Sequence, residues 1–315
     1  MSSAPTPSPT PNSPGNVAGA HTYHCRWCGA ASDASSLSCP KCGAPIDVQT
    51  AVTTDSGWNE LPPIRDMAKI QFGQSFCQIE GKYVPVADFK LAVGNGIYFT
   101  HHILLWKDEQ VQISAMPMAG GWKRMFAGMP LVMTQAAGPG RIAFSKDAPG
   151  ELIALPLNPG QSVDVREHVF MVATHEISYD WFQTGMWFVT GSGNERETHY
   201  PLGMFMDRFT ATSAPGLLLL HGQGNVFVRT LAEGEHIMIK PTALLYKDPH
   251  VRMHLHLEYP GGNTNFTWWG NWSNRFVWLR LHGPGRVAVQ SHFPPMEDPG
   301  RQIQSIEPLS TRQQW

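Results

Sequence analysis

Charged side chains are scarce in this sequence, and long apolar runs are absent. Asp, Glu, Lys and Arg make up 15% of the 315 residues, where about a quarter is usual for a soluble chain. The net charge of −2 gives no overall basic field, so it disfavours nucleic acid as a partner. No stretch of about 18 apolar residues occurs, so no membrane-spanning helix is predicted. A surface with so little charge favours contacts between subunits, and we expect a homo-oligomer.

Sequence motifs for common enzyme chemistry are also missing. No G-x-x-x-x-G-K-[ST] phosphate loop occurs, and Gly191-Ser192-Gly193 has the form of a turn rather than of a nucleotide-binding fingerprint. The segment "GLLLLHGQG" contains no nucleophile elbow, and no Ser, His and Asp follow an order that favours a catalytic triad. The sequence therefore predicts a protein that is not an enzyme.

Three segments lack the apolar pattern of a folded domain. Residues 1–20 are mostly Pro, Ser and Thr and bury too little surface to offset the entropy lost on ordering, so we predict a disordered arm. They also lack the basic and apolar regions of a secretory signal, which favours a cytoplasmic location. Residues 48–66 show no sustained periodicity and are expected to be a linker, and residues 296–315 a C-terminal tail.

Four of the five cysteines form two C-x-x-C pairs within residues 21–47: Cys25, Cys28, Cys39 and Cys42. Two-residue spacing lets both sulfurs of a tight turn face one ion, and the glycine after each pair permits a positive φ. Four thiolates make a closed tetrahedral site, so we predict a zinc ribbon with one structural Zn²⁺ per chain. A pair of disulfides is the alternative, which the missing signal disfavours. The fifth cysteine, Cys77, is expected to be a buried structural thiol.

The motif Gly-Pro-Gly-Arg occurs twice, each time after an apolar run and before a β-branched residue. Residues 129–144, "MPLVMTQAAGPGRIAF", align without a gap with residues 274–289, "NRFVWLRLHGPGRVAV". Residues 205–220, "FMDRFTATSAPGLLLL", are a weaker third copy. Because Pro fixes φ and Gly permits the turn conformation, each copy predicts a β-hairpin.

A second repeated unit lies between these hairpins. Residues 158–177 align without a gap with residues 232–251. Residues 91–105 are a looser copy, in which Leu91 takes the place of Val163. The two kinds of repeat together predict three versions of one module.

Strand-like patterns dominate residues 67–295. The segments "SVDV" and "HIMI" alternate as half-buried strands do, and "RIAF", "LLLL" and "RVAV" are short apolar runs between turns. Helical spacing is almost absent, with a single helical turn expected near residues 121–129. We therefore predict an all-β fold of three repeated β-sandwich-like modules, closed around a pseudo-threefold axis so that strand edges are buried.

These segments together resemble the altered-inheritance-of-mitochondria (number twenty-four) family. The resemblance covers about residues 67–292 and includes "GGWKRMFAG" at residues 120–128, which is similar to a Gly-rich segment of that family. It implies a fold similar to that of the tryptophan RNA-binding attenuator protein (TRAP), whose β-sandwich modules assemble into rings. It supplies no catalytic residues, and the four-cysteine module departs from the family pattern. Of the family's mitochondrial and bacterial members, the untargeted N-terminus favours a bacterial one in the cytoplasm.

Tryptophans are concentrated in two places. Trp268, Trp269 and Trp272 lie in "NFTWWGNWSNRFVW", and Trp122 lies in a Met-rich segment. Trp is favoured at interfaces and Met at adaptable apolar surfaces, so we predict contact with a partner or another subunit. Packing in the core and stacking on a ligand are the alternatives. Because a Lys-Arg pair follows Trp122, attachment to a membrane surface is a further, less favoured one.

A histidine-rich segment, "RMHLHLEY", offers a second metal site. His254, His256 and Glu258 alternate, so they share one face of a strand. Two imidazoles and a carboxylate suit Zn, Fe or Mn, as in a cupin-like oxygenase. The favoured interpretation is the solvated face of a half-buried strand, with Met253 and Leu255 inward.

The leading functional hypothesis is a non-enzymatic oligomeric scaffold or binding protein, whose zinc module recognises a protein partner. One alternative is a ring that binds RNA or a membrane surface, by analogy with the fold, although the low net charge argues against RNA. The other is a metal-dependent, cupin-like enzyme that uses His254, His256 and Glu258.

Overall fold

A computed structural model describes residues 22–24, 30–33, 39–41, 56–60, 69–81, 83–116, 133–191, 196–258, 276–294 and 303–307 of the chain. Over these residues the regular structure consists of strands and two single-turn 3-10 helices, His101–Ile103 and Pro241–Ala243. The all-β prediction is confirmed. The helical turn expected near residues 121–129 lies outside the described residues.

Turns rich in glycine separate the strands and keep them short. In chain order, the first strands are β1 Thr22–His24, β2 Ala31–Asp33, β3 Asn59–Glu60, β4 Lys69–Phe72, β5 Ser75–Glu80, β6 Val86–Leu91, β7 Gly96–Thr100, β8 Leu104–Lys107 and β9 Gln112–Ala115. The next are β10 Met133–Ala137, β11 Gly140–Ser145, β12 Glu151–Leu157, β13 Ser162–Arg166, β14 Phe170–Thr174, β15 Ile177–Gln183, β16 Trp187–Thr190, β17 Glu197–His199, β18 Phe205–Ala211 and β19 Gly216–Gly222. The last are β20 Val226–Leu231, β21 His236–Ile239, β22 Leu244–Lys247, β23 Arg252–Glu258, β24 Phe276–His282, β25 Gly285–Gln290 and β26 Ile303–Glu307.

Antiparallel pairing joins these strands into several sheets. The two largest are a six-stranded sheet, β12-β19-β14-β7-β10-β9, and a seven-stranded sheet, β15-β18-β13-β22-β25-β20-β3. A five-stranded sheet, β4-β5-β6-β11-β8, and a three-stranded sheet, β21-β24-β23, flank them. The remaining strands form a small sheet, β17-β16-β26, and the N-terminal hairpin β1-β2.

Three buried hydrophobic cores hold the sheets together. Core 1 draws side chains from the five-stranded sheet and from one face of the six-stranded sheet, including Phe89 and Leu217. Core 2 draws them from the other face of the six-stranded sheet and from the seven-stranded sheet, including Leu218 and Phe209. Core 3 joins the seven-stranded sheet to β21-β24-β23 and includes Leu255.

The run "LLLL" in β19 shows why some strands are apolar at every position. Leu217 and Leu219 belong to core 1, whereas Leu218 and Leu220 belong to core 2, because successive side chains of a strand point to opposite faces. All four are at most 1% exposed. Since burial of a leucine side chain contributes about 1.5–3 kcal/mol, this strand stabilises both cores.

The β-hairpins predicted at the Pro-Gly turns are wrong, because each turn joins strands of two different sheets: β10 to β11, β18 to β19 and β24 to β25. The second glycine of each Gly-Pro-Gly-Arg motif has a steric cause. Gly140 and Gly285 both have a φ of 136°, which side chains disfavour. A Cβ at Gly140 lies 2.7 Å from Val111 Cγ2, and one at Gly285 lies 2.8 Å from Val251 Cγ2. The backbone N–H that follows each glycine donates to an aspartate at 2.8 Å: Arg141 to Asp108 Oδ2 and Arg286 to Asp248 Oδ2.

Turn glycines correct one of the predicted alignments. Three glycines with positive φ lie in the turns after β6, β12 and β20: Gly94 at 81°, Gly160 at 82° and Gly234 at 77°. Each follows the last residue of its strand at the same distance. Leu91 therefore occupies the place of Leu157, and its predicted match with Val163 is wrong. The prediction aligned alternating apolar residues, whereas the register is fixed by the glycine in the turn.

Candidate functional site

The N-terminal cysteines lie only partly within the described residues. Cys25, Cys28 and Cys42 fall outside them, so the zinc site stays a prediction. The strands on either side of the first C-x-x-C pair form the antiparallel hairpin β1-β2. Such a hairpin holds together the two ends of a turn, as a zinc knuckle requires. Cys39 is buried and belongs to core 1, so this part of the module packs on the body.

Cys77 is buried on β5 within core 1. Burial is the main cause that raises the pKa of its thiol well above the ordinary value, and the charge of Asp88 adds to it. A thiol with a raised pKa is protonated at neutral pH and unreactive. The prediction of a buried thiol is confirmed.

The tryptophans predicted to contact a partner lie outside the described residues: Trp122, Trp268, Trp269 and Trp272. Their role stays a prediction. The neighbouring Trp278 on β24 is described, and Lys240 Nζ lies 5.5 Å from its ring centroid. The Trp278 indole N–H donates to Glu258 Oε2 at 2.6 Å, so this tryptophan links β24 to β23.

The structure places His254, His256 and Glu258 on β23 without building a metal site from them. Leu255 is buried in core 3, as the favoured interpretation predicted. His254 and His256 are half-buried on the opposite face, which is therefore less solvated than predicted. The Glu258 carboxylate is bound by the Trp278 indole. Among the residues that the structure describes, no group of three or more His, Cys, Asp or Glu side chains is arranged to hold a metal ion.

Three histidines form a row across β21, β24 and β23 that the sequence did not reveal. The His282 ring centroid lies 4.9 Å from that of His254, in stacked geometry, and 5.5 Å from that of His236. Burial, followed by the charges of His254, Arg280, His236 and Arg252, lowers the pKa of His282 to about 4. This imidazole is therefore neutral at pH 7 and packs as an aromatic ring.

Strand β8 is an open edge of the five-stranded sheet. Its one neighbour among the described strands is β11. Leu105 is 56% exposed and Trp106 41% exposed, so large apolar side chains lie along this edge. An exposed apolar edge is a ready surface for pairing with another strand.

Strand β21 is an open edge of the three-stranded sheet. It pairs with β24, and no other strand in the described part of the chain adjoins it. Met238 is 43% exposed, and His236 is exposed beside it. The described sheets have other edge strands as well, such as β4 and β23. β8 and β21 are the edges that expose Leu105, Trp106 and Met238. The predicted closure that buries all strand edges is therefore not made among the described strands of one chain.

The strands that correspond to β8 and β21 in the other repeats have a second neighbour. β8, β14 and β22 each adjoin the strand that follows a Pro-Gly turn, namely β11, β19 and β25. β7, β13 and β21 each adjoin the strand before that turn, namely β10, β18 and β24. Two ladders connect the two sets, β14 with β7 and β22 with β13. We call these two ladders the internal junctions.

The internal junction between β13 and β22 contains a buried ion cluster. Asp164 is fully buried and accepts hydrogen bonds from Lys247 Nζ at 2.8 Å and from Arg208 Nε at 2.6 Å. Burial lowers the pKa of Lys247, although the nearby Asp164 charge opposes this shift. The hydrogen bond to Asp164 raises the pKa of Arg208. One carboxylate thus connects β13, β22 and β18.

A sequence signal for these edges was present but was not used in the prediction. Residues 104–111, "LLWKDEQV", and residues 244–251, "LLYKDPHV", share Leu-Leu, Lys-Asp and the final Val. This match identifies β8 as a counterpart of β22. It does not show which of the two strands lacks a partner, because that depends on pairing with distant parts of the chain.

Comparisons with known proteins agree with this architecture. Residues 77–292 match the model of a family described as Mitochondrial biogenesis AIM24, whereas comparison with curated proteins gives no match. The crystal structure of a Streptococcus pyogenes protein is similar, with 18% identity, a TM-score of 0.50 and coverage of 70% of this chain and 94% of that chain. At this identity the likeness concerns the fold alone. No helix within the described ranges is long and apolar enough to cross a membrane.

Proposed function

We propose that this chain, which belongs to the AIM24 family, is a non-enzymatic oligomeric scaffold. Its body is a platform of three TRAP-like β-sandwich modules, joined to one another through shared sheets. Its N-terminal module holds one structural Zn²⁺ and recognises a protein partner.

The pairing pattern supports three modules. Each module contains six strands in the same order of neighbours, namely β6–β11, β12–β15 with β18–β19, and β20–β25. Each places half of its strands in one sheet and half in the next, with one core between the halves. Because neighbouring modules share a sheet, the body is continuous rather than a string of independent domains.

The observation that carries the scaffold proposal is the pair of open, apolar edges on β8 and β21. Monomeric proteins protect such edges with charge, proline or a covering segment. On β8, Lys107 is the one charged residue, and the apolar Leu105 and Trp106 beside it are exposed. A platform assembled from several chains covers these side chains, whereas a monomeric enzyme gains nothing from their exposure.

The zinc part of the proposal rests on the cysteine spacing and on the hairpin around the first pair. Cys25, Cys28, Cys39 and Cys42 would hold the ion as four thiolates, which leaves no open position for water. The metal would then stabilise a module too small to fold on apolar burial alone. The buried position of Cys39 in core 1 fixes one side of the module to the body, and the opposite side remains for a partner.

Two measurements on the full chain test this proposal. Elemental analysis is expected to give one zinc per chain, lost in a Cys25→Ser/Cys28→Ser variant and kept in Cys77→Ser. Light scattering is expected to give a mass of several chains for the wild type. Absence of zinc refutes the metal module, and a monomer at every concentration refutes the scaffold.

A further inference from the structure

We infer that β8 of one copy pairs antiparallel with β21 of a second copy, so that the chains associate head to tail. Trp106 then lies opposite Ile239, and Lys107 opposite Met238. This inference deepens the proposed function and rests on it, because it names the surface through which the scaffold assembles.

The first support is that the chain already makes this contact twice. At one internal junction β14 pairs with β7, and at the other β22 pairs with β13. β8 has the neighbours of β14 and β22, and β21 has the neighbours of β7 and β13. The two open edges are therefore the two halves of a third junction that the single chain leaves unmade.

The second support is the type of residue at the open positions. Leu105 and Trp106 correspond to Leu245 and Tyr246, which are 0% and 1% exposed in the internal junction. On β8 the same positions keep large apolar side chains while they are 56% and 41% exposed. Residues suited to burial are thus retained where the single chain does not bury them, and a second strand would cover them.

The third support is that both internal junctions use one register. Val172 lies opposite Phe99, and Tyr246 lies opposite Val165. One step further along, Ala173 is opposite Tyr98 and Lys247 is opposite Asp164. Trp106 corresponds to Tyr246, and Ile239 corresponds to Val165. The same register at the open edges therefore places Trp106 opposite Ile239 and Lys107 opposite Met238.

The exposure of both edges favours a second copy over closure within one chain. In the described part of the chain, β8 and β21 do not pair, and Trp106 and Met238 are 41% and 43% exposed. The contact uses different surfaces on the two partners, and each added copy presents a fresh edge. Such a heterologous contact continues until it closes into a ring or forms an open filament.

Two single-cysteine variants test the partner and the register together. Opposite residues of an antiparallel pair have Cα atoms about 4.5–5.5 Å apart, within the range of a disulfide. Lys107→Cys chains and Met238→Cys chains are mixed, oxidised and analysed by non-reducing gel and peptide mass spectrometry. The expected product is a dimer with a disulfide between positions 107 and 238, formed in the mixture and by neither variant alone.

Two controls decide between the possible occupants of the edges. A mixture of Lys107→Cys with His236→Cys, two residues out of register, is expected to cross-link at least tenfold less. A double variant that carries both substitutions is expected to form linked multimers. If it instead forms the 107–238 disulfide only within one chain, the edges close on each other and the inference is wrong. If no 107–238 disulfide forms although light scattering shows an oligomer, the scaffold survives and the head-to-tail contact does not.

Discussion

Replacing Asp164 by alanine removes the carboxylate that bonds Lys247 at the internal junction between β13 and β22. Asp164 is 0% exposed and accepts hydrogen bonds from Lys247 Nζ at 2.8 Å and from Arg208 at 2.6 and 2.9 Å. The Arg208 side chain is 40% exposed and regains water when the carboxylate is lost. The Lys247 side chain is 4% exposed, so its ammonium group is left buried without its counterion.

Breaking a buried ion pair in this way costs about 3–5 kcal/mol. We expect Asp164→Ala to lower the free energy of unfolding by this amount, measured by urea titration with tryptophan fluorescence and far-UV circular dichroism. Adding Lys247→Met removes the stranded charge, so the double variant is expected to regain at least about 2 kcal/mol. Glu233→Ala, in the exposed turn between β20 and β21, is the control and is expected to change stability by less than about 0.5 kcal/mol. A loss below about 1 kcal/mol for Asp164→Ala, or no recovery in the double variant, refutes this account of the junction.

Three further predictions follow from individual side chains. Gly285→Ala places a Cβ 2.8 Å from Val251 at a φ of 136° and is expected to cost at least about 2 kcal/mol in urea unfolding, whereas Gly234→Ala, with nothing within 4 Å, costs about 1 kcal/mol. Burial lowers the pKa of His221 from 6.5 to about 4, so the unfolded chain binds more protons between these values. Stability is therefore expected to fall as the pH drops from 6.5 through 4, by up to about 3 kcal/mol for this residue, and His221→Gln should flatten thermal-melt profiles in that window. Met238→Asp places a carboxylate opposite Lys107 of the next copy, as Asp164 is placed at the internal junction, and is expected to tighten self-association about tenfold in sedimentation experiments. That gain should disappear when Lys107→Met is added.

Local features of the chain were sufficient to predict the strand content. Glycine at a turn and apolar alternation in a strand act within a few residues, so "SVDV" and "HIMI" were assigned correctly as strands. The β-hairpins predicted at the two Gly-Pro-Gly-Arg motifs are wrong, because each turn carries the chain from one sheet to another: β10 and β11 lie in different sheets, as do β24 and β25. The turns themselves were predicted correctly, and a valine packs against Gly140 and another against Gly285. The match of Leu91 with Val163 failed because two strands of similar pattern differ only in their place relative to a turn.

The candidate site depends on contacts between distant residues, which one sequence does not specify. Leu105 and Trp106 have the composition of a buried strand, and only the sheet order shows that β8 lacks a second neighbour. In the same way, Asp164 and Lys247 are far apart in sequence and meet because β13 adjoins β22. The zinc prediction depends on local spacing instead, since two residues separate the cysteines of each pair, and it stays a prediction.

The molar mass of the chain, measured by light scattering with and without an intact β8 edge, tests the central claim most directly. The wild type is expected to have a mass several times that of the 34.9 kDa chain, and Trp106→Lys is expected to give the mass of one folded chain at the same concentration. Val93→Lys, which replaces an exposed apolar residue in the turn between β6 and β7, is expected to assemble like the wild type. A wild type of 34.9 kDa at all concentrations, or a Trp106→Lys variant that assembles as the wild type does, would contradict the account.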